Sequence, residues 1–274
     1  MTRARLKQGA RRVVRRRMAR GTFPLTDRRV LTTNPDGLAM YCDPGDTGLT
    51  PRILTRRLYE PSTTRLLRRL VRPGSRVVEV GANIGWHTLV AAERVGPNGH
   101  VAAFEPNPRI FELLHANIFI NSLWGRCELH QMALSSTSGQ ATLRIPGTFM
   151  GGGNLLERDE GALRWRHQEE VEVTVETSTL DEVLADNLHY DVMKIDVEGF
   201  EAEVFAGGEK FFATNPNLKM IMEFAPSLHG EELLRWIIGR GQKIHEINRY
   251  GRTRLVVDPM SLMRHQTVDL FVTR

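Results

Sequence analysis

Two carboxylates placed at the ends of apolar runs are the chemically suggestive feature of this chain. Val77-Val78-Glu79-Val80-Gly81-Ala82-Asn83-Ile84-Gly85 is answered about twenty residues later by Val101-Ala102-Ala103-Phe104-Glu105-Pro106. The first run passes through glycines into a helix-like segment from Trp86 to Arg94. The pattern is that of a strand, a tight turn, a helix and a second strand. It puts both acids at carboxyl ends of strands, where open parallel sheets bind ligands. Glycine suits the turn because a Cβ would keep the backbone from closing on a nucleoside. Glu105 can then accept both hydroxyls of a ribose, since an ionised carboxylate has two acceptor oxygens.

Glycine spacing and charge select among adenosine cofactors. The dinucleotide fingerprint needs glycine at its first, third and sixth positions. Counted from Gly81 these are Gly81, Asn83 and Trp86, so two of the three fail. A Gly-x-x-x-x-Gly-Lys phosphate loop is absent as well. Glu79 would sit badly beside a pyrophosphate but suits a cationic ligand. S-adenosylmethionine carries an ammonium and a sulfonium and no phosphate, and is the expected cofactor. Two readings from other classes stand beside this one: a nucleotide-cofactor oxidoreductase of Rossmann type, and a non-catalytic cofactor-binding scaffold. The failed spacing counts against the first, and the intact acids at 79, 105 and 196 count against the second.

A third block, Lys194-Ile195-Asp196-Val197-Glu198-Gly199-Phe200-Glu201, supplies the remaining chemistry. Methyl transfer from a sulfonium is an in-line displacement, so orientation matters most, and an acceptor that is an alcohol would also need a base for its proton. Val192, Met193 and Ile195 read as a buried strand with Asp196 at its edge. Asp196 is placed nearest the reacting centre, touching cofactor or substrate, unless it merely caps the following helix. Glu198 and Glu223 are further candidates for the base or for orienting the hydroxyl. His87, just after the glycine turn, is a fourth, although a helix N-terminus disfavours imidazolium. Glu201 reads as a first-turn acid complementing a helix dipole. Lys194 reads as reaching solvent or pairing with a neighbouring acid. Carboxylates this dense call for a cation nearby, whether proton, substrate or metal. Asp196 and Glu198 could hold a divalent ion by oxygen, but no clear third ligand accompanies them, so a metal stays an open alternative and not the expectation.

These three blocks resemble the FkbM-type S-adenosylmethionine-dependent methyltransferases. Glu79 to Gly85 with Thr88 carries part of the likeness, and Phe104-Glu105-Pro106-Asn107-Pro108 leading to Asn117 and Asn121 carries another. Lys194 to Glu201 is the most specific, with Thr179-Leu180-Asp181 and Met222-Glu223 in keeping, and the whole spans about residues 70 to 225. The resemblance implies a class I methyltransferase fold, a Rossmann-like, mostly parallel α/β sheet flanked by helices. It implies O-methyl transfer to a hydroxyl of a small molecule or glycan acceptor: a sugar, a glycolipid or another secondary metabolite. It also implies cofactor contacts from Glu79, Gly81, Asn83, Gly85, Thr88, Glu105, Pro106 and Asp196, and a backbone contact near the adenine at Ala133.

Composition sets these residues in one enzyme-sized unit. The chain has 274 residues, 41% of them hydrophobic. We expect an S-adenosylmethionine-binding domain over residues 71–274, an accessory segment over 21–70, and a basic arm over 1–20. Nine Arg and Lys and no acid occupy the first twenty residues, while the whole chain is only +5, so the body is acidic. Leu6, Ala10, Val13, Val14 and Met18 share one helical face of that arm. A basic amphipathic helix suits an anionic membrane surface or an acidic partner enzyme, with a solvated arm as the plain alternative. No aromatic stacking set accompanies the arginines, so nucleic acid is not an expected partner. No apolar run approaches the ~18–20 residues of a membrane span. Cys42 and Cys127 show neither metal-ligand spacing nor a disulfide framework, which fits reduced thiols in the cytoplasm.

The coarse pattern predicts strands or a lid over 21–60, one helix from Leu54 to Val71, and a strand–helix–strand–helix run ending near Ile120. Further strands are expected to Ile195, over 218–224, near 243–247 and near 268–273, with helices from Phe200 and from Glu231. Extended segments are expected at 126–134, 139–145 and 171–176. Gly151-Gly152-Gly153-Asn154 reads as a substrate lid or a hairpin tip, and Arg164 to His167 as a sugar or phosphate contact. His229 is placed on a substrate loop.

Overall fold

The computed structural model describes residues 21–146, 170–184, 189–226, 229–264 and 267–274. The basic arm, the glycine run at 151–154 and the segment 164–167 lie outside these.

The chain opens with a small antiparallel sheet, β1 (Phe23–Thr26), β2 (Arg29–Thr33) and β3 (Ala39–Cys42). The turn after β2 is built by Asn34, whose side-chain oxygen accepts from the Asp36 and Leu38 amides, both at 3.0 Å. Two helices follow, α1 (Leu49–Arg56) and α2 (Pro61–Leu70). The single helix expected from Leu54 to Val71 is thus broken. Arg57 and Glu60 take left-handed conformations, φ 49° and 37°, and Pro61 opens α2. Proline in a helix interior removes a hydrogen bond and clashes with the preceding turn, whereas at the first helical position it costs nothing.

The body is an eight-stranded sheet. Its parallel strands are β4 (Arg76–Val80), β5 (His100–Phe104), β6 (Cys127–His130), β10 (Val192–Ile195) and β11 (Lys219–Phe224). Antiparallel β12 (Lys243–Ile247), β13 (Thr253–Leu255) and β14 (Val268–Thr273) complete one side, in the order β13-β12-β14-β11-β10-β4-β5-β6. The chain builds outward from β4 through β5 to β6, then returns to β4's other side with β10. That reversal opens a crevice at the carboxyl ends of β4, β5 and β10.

Alternation along the strands divides the core. Val77, Val101, Val192 and Ile221 face α2, α3 (Trp86–Val95) and α4 (Pro108–Ile120). Val78, Val80, Met193, Ile195 and Met220 belong to the opposite face, under α6 (Glu201–Ala206), α7 (Glu209–Thr214) and α8 (Gly230–Gly239). Leu233, Leu234 and Ile237 of α8 recur at helical spacing and are buried there. Each is worth roughly 1.5–3 kcal/mol of transfer free energy. A separate sheet of β7 (Ala133–Leu134), β9 (Glu170–Ser178) and β8 (Gly139–Pro146) leads into α5 (Leu180–Val183). Central parallel strands, outer antiparallel strands and helices on both faces make this a class I methyltransferase fold.

Candidate functional site

The crevice encloses about 830 Å³ of space, part of it open to solvent. Its floor is the turn after β4, where the Gly81 and Ala82 amides donate to the Phe104 carbonyl at 3.0 and 2.9 Å. Gly81 has φ +78°, and a Cβ there would lie 1.9 Å from the Asp196 carbonyl oxygen. The glycine is therefore demanded by the close approach of β10, a constraint more immediate than the nucleoside contact inferred from sequence. Asn83 follows in a left-handed conformation, φ 51°, and Gly85 (φ +90°) opens α3 against Leu114.

Glu105 braces this turn from the end of β5. One of its oxygens accepts from the Asn83 amide and the other from the Asn107 amide, each at 2.9 Å. Each oxygen keeps acceptor capacity for a further donor. Burial pushes this carboxyl up to about 7, against the pull of the two amides. Glu79 is 2% exposed and takes one hydrogen bond, from the Thr88 hydroxyl at 2.7 Å. Its other oxygen is buried without a partner, and burial pushes the group up to about 7.

Strand register gathers the remaining charges on one face. Lys194 lies opposite Glu79 across the β10–β4 pair, and Glu223 opposite Asp269 across β11–β14. Asp196 follows Lys194 by two residues and so shares its face. The Lys194 ammonium, 5% exposed, reaches Asp196 at 3.0 Å and the Gly81 carbonyl at 3.4 Å. Burial works against that ammonium, but Asp196, Glu60 and Glu79 outweigh it and raise its pKa. Glu60, from the break between α1 and α2, is pushed up to about 7 by burial, with Lys194 opposing. Glu223 is half-buried and pushed up to about 8 by burial, then by Asp196, Glu198, Glu60 and Asp269.

Of the residues singled out from sequence, Gly81, Asn83, Glu105, Pro106, Ala133, Asp196 and Glu198 line the crevice. Glu79, Gly85 and Thr88 are not part of its lining: Glu79 and Thr88 are hydrogen-bonded to each other, and Gly85 sits where a Cβ would collide with Leu114. His87 is buried 3.2 Å from the Thr64 hydroxyl and 3.7 Å from Glu60. Burial, with Lys194 and Arg68, holds its pKa well below the usual value, so it stays neutral. Trp86 is a core residue, donating to Thr64 at 3.0 Å. Glu201 caps the turn instead of only facing the dipole, accepting from the Val197 and Gly199 amides at 3.2 and 3.3 Å. His229 is exposed beside Glu232. Lys194 does not reach solvent. Tyr59, Glu60 and Asp269 were not anticipated. The alternation of Val192, Lys194 and Asp196 could have flagged the lysine, but no local signal marks Glu60 or Asp269.

The chemistry of the lining tests the cofactor. Among the described residues it holds Glu105, Asp196 and Glu198 and no Lys or Arg. Such a wall repels a pyrophosphate and suits a ligand with a sulfonium and an ammonium, and Glu105 remains able to accept hydroxyls. The residues therefore fit S-adenosylmethionine. No group of three or more potential metal ligands occurs among the described residues. Cys42 and Cys127 are free thiols, both pushed up to about 12, chiefly by burial.

A Rossmann-like sheet whose crevice carries carboxylates in place of a phosphate cradle is the arrangement of the class I methyltransferase fold, and its lining fits S-adenosylmethionine. The methyltransferase FkbM domain matches residues 79–249, and the chain belongs to that family. It is 30% identical over 154 residues to methyltransferase sdnD of Sordaria araneosa, covering 48% of this chain and 59% of that protein. It is 30% identical over 131 residues to the hexuronic acid methyltransferase AglP of Haloferax volcanii, covering 47% and 48%. The chain thus spans about half to three-fifths of the length of these relatives. A solved O-methyltransferase from Thermotoga maritima overlays with a TM-score of 0.45 at 15% identity, over 91% of this chain and 94% of that one.

Proposed function

We propose that this protein transfers a methyl group to a hydroxyl oxygen of a sugar, glycolipid or related secondary metabolite. S-adenosylmethionine supplies the electrophilic methyl on a sulfonium. Glu105 and the Asn83 turn would hold its nucleoside side, with Ala133 contributing backbone and Asp196 placed toward the reacting end. The observation that carries the oxygen-acceptor reading is Glu223. It is a half-buried carboxyl outside the crevice lining but within reach of the charges of Asp196 and Glu198, which do line it. Burial and those charges raise it to about 8, and it has no hydrogen-bond partner among the described residues. A base poised near neutral pH is what an alcohol acceptor needs. Asp196 is committed to Lys194, and His87 is buried behind the wall. Glu198, in the left-handed turn at φ 55°, is assigned to orienting the hydroxyl. A relative named for a hexuronic acid supports a sugar among the acceptors.

The methyltransferase unit is assigned to residues 71–274, with 21–70 as a cap fastened to it through α4. Among the described residues no helix is long and apolar enough to cross a membrane. The test is mass spectrometry of a sugar and glycolipid panel incubated with the enzyme and a methyl-labelled donor. Label should appear as an O-methyl ether. Glu223→Gln should lower kcat by about 10²–10⁴ with little change in donor affinity near pH 6. Label on nitrogen or carbon, or an unaffected kcat, would overturn the reading.

A further inference from the structure

The face of the sheet that carries Lys194 gathers carboxyl groups around that one buried ammonium. Six carboxyl groups meet there: Glu60 from the α1–α2 break, Glu79 on β4, Asp196 and Glu198 around the end of β10, Glu223 on β11 and Asp269 on β14. Glu223 and Asp269 are direct cross-strand partners, an arrangement that is destabilising when both are ionised. Asp269 is relieved by the Ser62 and Thr63 hydroxyls of α2, at 3.0 and 3.4 Å, whereas Glu223 has no such donor among the described residues. Of the other described groups nearby, His87 on α3 stays neutral, Tyr59 holds its proton, Glu201 is occupied by backbone amides, and the Arg68 guanidinium of α2, whose charge is felt at His87, is paired with Asp36. Glu79, opposite Lys194, adds an independent sign of unmet polar demand, a wholly buried oxygen with no hydrogen-bond partner. Asp196 and Glu198 carry this row to the crevice itself.

We propose that this row reads the charge of the ligand in the crevice, ionising when the cationic methyl donor is bound and holding it more tightly than its neutral-sulfur product. Where the acceptor is a hydroxyl, as proposed above, the same coupling arms Glu223 as base only when the donor is in place. The direction follows from proton linkage. Without ligand, Glu60 and Glu223 are raised to about 7 and about 8. A nearby positive charge favours their ionised forms and lowers both values. Binding near pH 7.5 therefore expels protons, and donor affinity climbs as pH rises through that window. A drop of one unit at a single group gives about a tenfold gain.

Calorimetric titration of the full chain with S-adenosylmethionine and S-adenosylhomocysteine tests this, in buffers of low and high ionisation enthalpy. At pH 7.5 the donor should release about half a proton more than the product. The ratio of donor to product affinity should rise about tenfold between pH 6 and 9. Glu223→Gln and Asp269→Asn should each flatten that rise. Equal proton release by the two ligands, or a ratio independent of pH in the wild type, overturns the proposal whether or not the variants fold. Binding of neither ligand overturns it together with the cofactor assignment. Because no acceptor is present, proton linkage without any O-methyl product would remove the oxygen-acceptor reading and leave this one intact.

Discussion

At the scale of single residues, two glycines with nearly the same backbone angle separate strain from collision. Gly74 has φ +87° and open space where a Cβ would go, while Gly81 has φ +78° and the Asp196 carbonyl oxygen 1.9 Å away. Gly74→Ala should cost roughly 1–2 kcal/mol, the penalty for a left-handed alanine. Gly81→Ala adds overpacking, for roughly 2–5 kcal/mol in all, and should disturb the crevice floor. Urea denaturation of both variants, with donor titration of the survivors, measures the difference, and equal losses would contradict it. That Gly81, Asn83 and Glu105 would meet at one turn was legible in the sequence, because a strand-ending acid leading into a glycine turn is answered by a second strand-ending acid. That Gly81 answers first to a neighbouring strand was not legible, since the contact joins residues more than a hundred positions apart.

Among elements, α4 does more than cover the sheet. Asn117 is fully buried and accepts from the Tyr41 amide at 2.6 Å. It also donates to the Tyr41 and Ile84 carbonyls at 3.0 and 2.8 Å. Asn121 repeats the grip on Ala39, one turn further along. The accessory sheet is thus tied through α4 to the turn that forms the crevice floor. Asn117→Ala strands buried backbone groups, each costing roughly 1–3 kcal/mol. It should destabilise the protein by roughly 2–4 kcal/mol, and weaken donor binding, while Asn121→Ala should do less on both counts. Chemical denaturation checks this, and a smaller loss at Asn117 than at Asn121 would be the contrary result. The alternating strands and the helix after each were readable from apolar periodicity. The α1–α2 break was missed because leucine spacing continues across it, although Pro61 marked the new start. The sheet of β7, β9 and β8 was anticipated only as extended segments, since register between distant strands leaves no local trace.

For the molecule as a whole, charge organises what the fold assembles. Outside its first twenty residues the chain is net acidic, and much of that acidity converges where β4, β10, β11 and β14 meet the crevice. The convergence arises from topology: a strand order that reverses at β4 brings Glu79 and Glu105 together with Asp196, and the antiparallel return of β14 delivers Asp269 to Glu223. Sequence indicated the cofactor class through Glu105, Asp196 and the missing glycines, whereas Glu79, read as facing a cationic ligand, lies outside the crevice lining. It left the base open because burial and cross-strand pairing decide which carboxyl keeps its proton.

The central claim, a crevice built for S-adenosylmethionine around Glu105, is tested most directly by calorimetric titration of wild type and Glu105→Ala with S-adenosylmethionine, S-adenosylhomocysteine and NAD. The structure predicts that both sulfur ligands bind the wild type, that Glu105→Ala weakens each at least about tenfold through the loss of hydroxyl acceptors and turn support, and that NAD does not bind. NAD binding, or sulfur-ligand binding indifferent to the loss of Glu105, would contradict it.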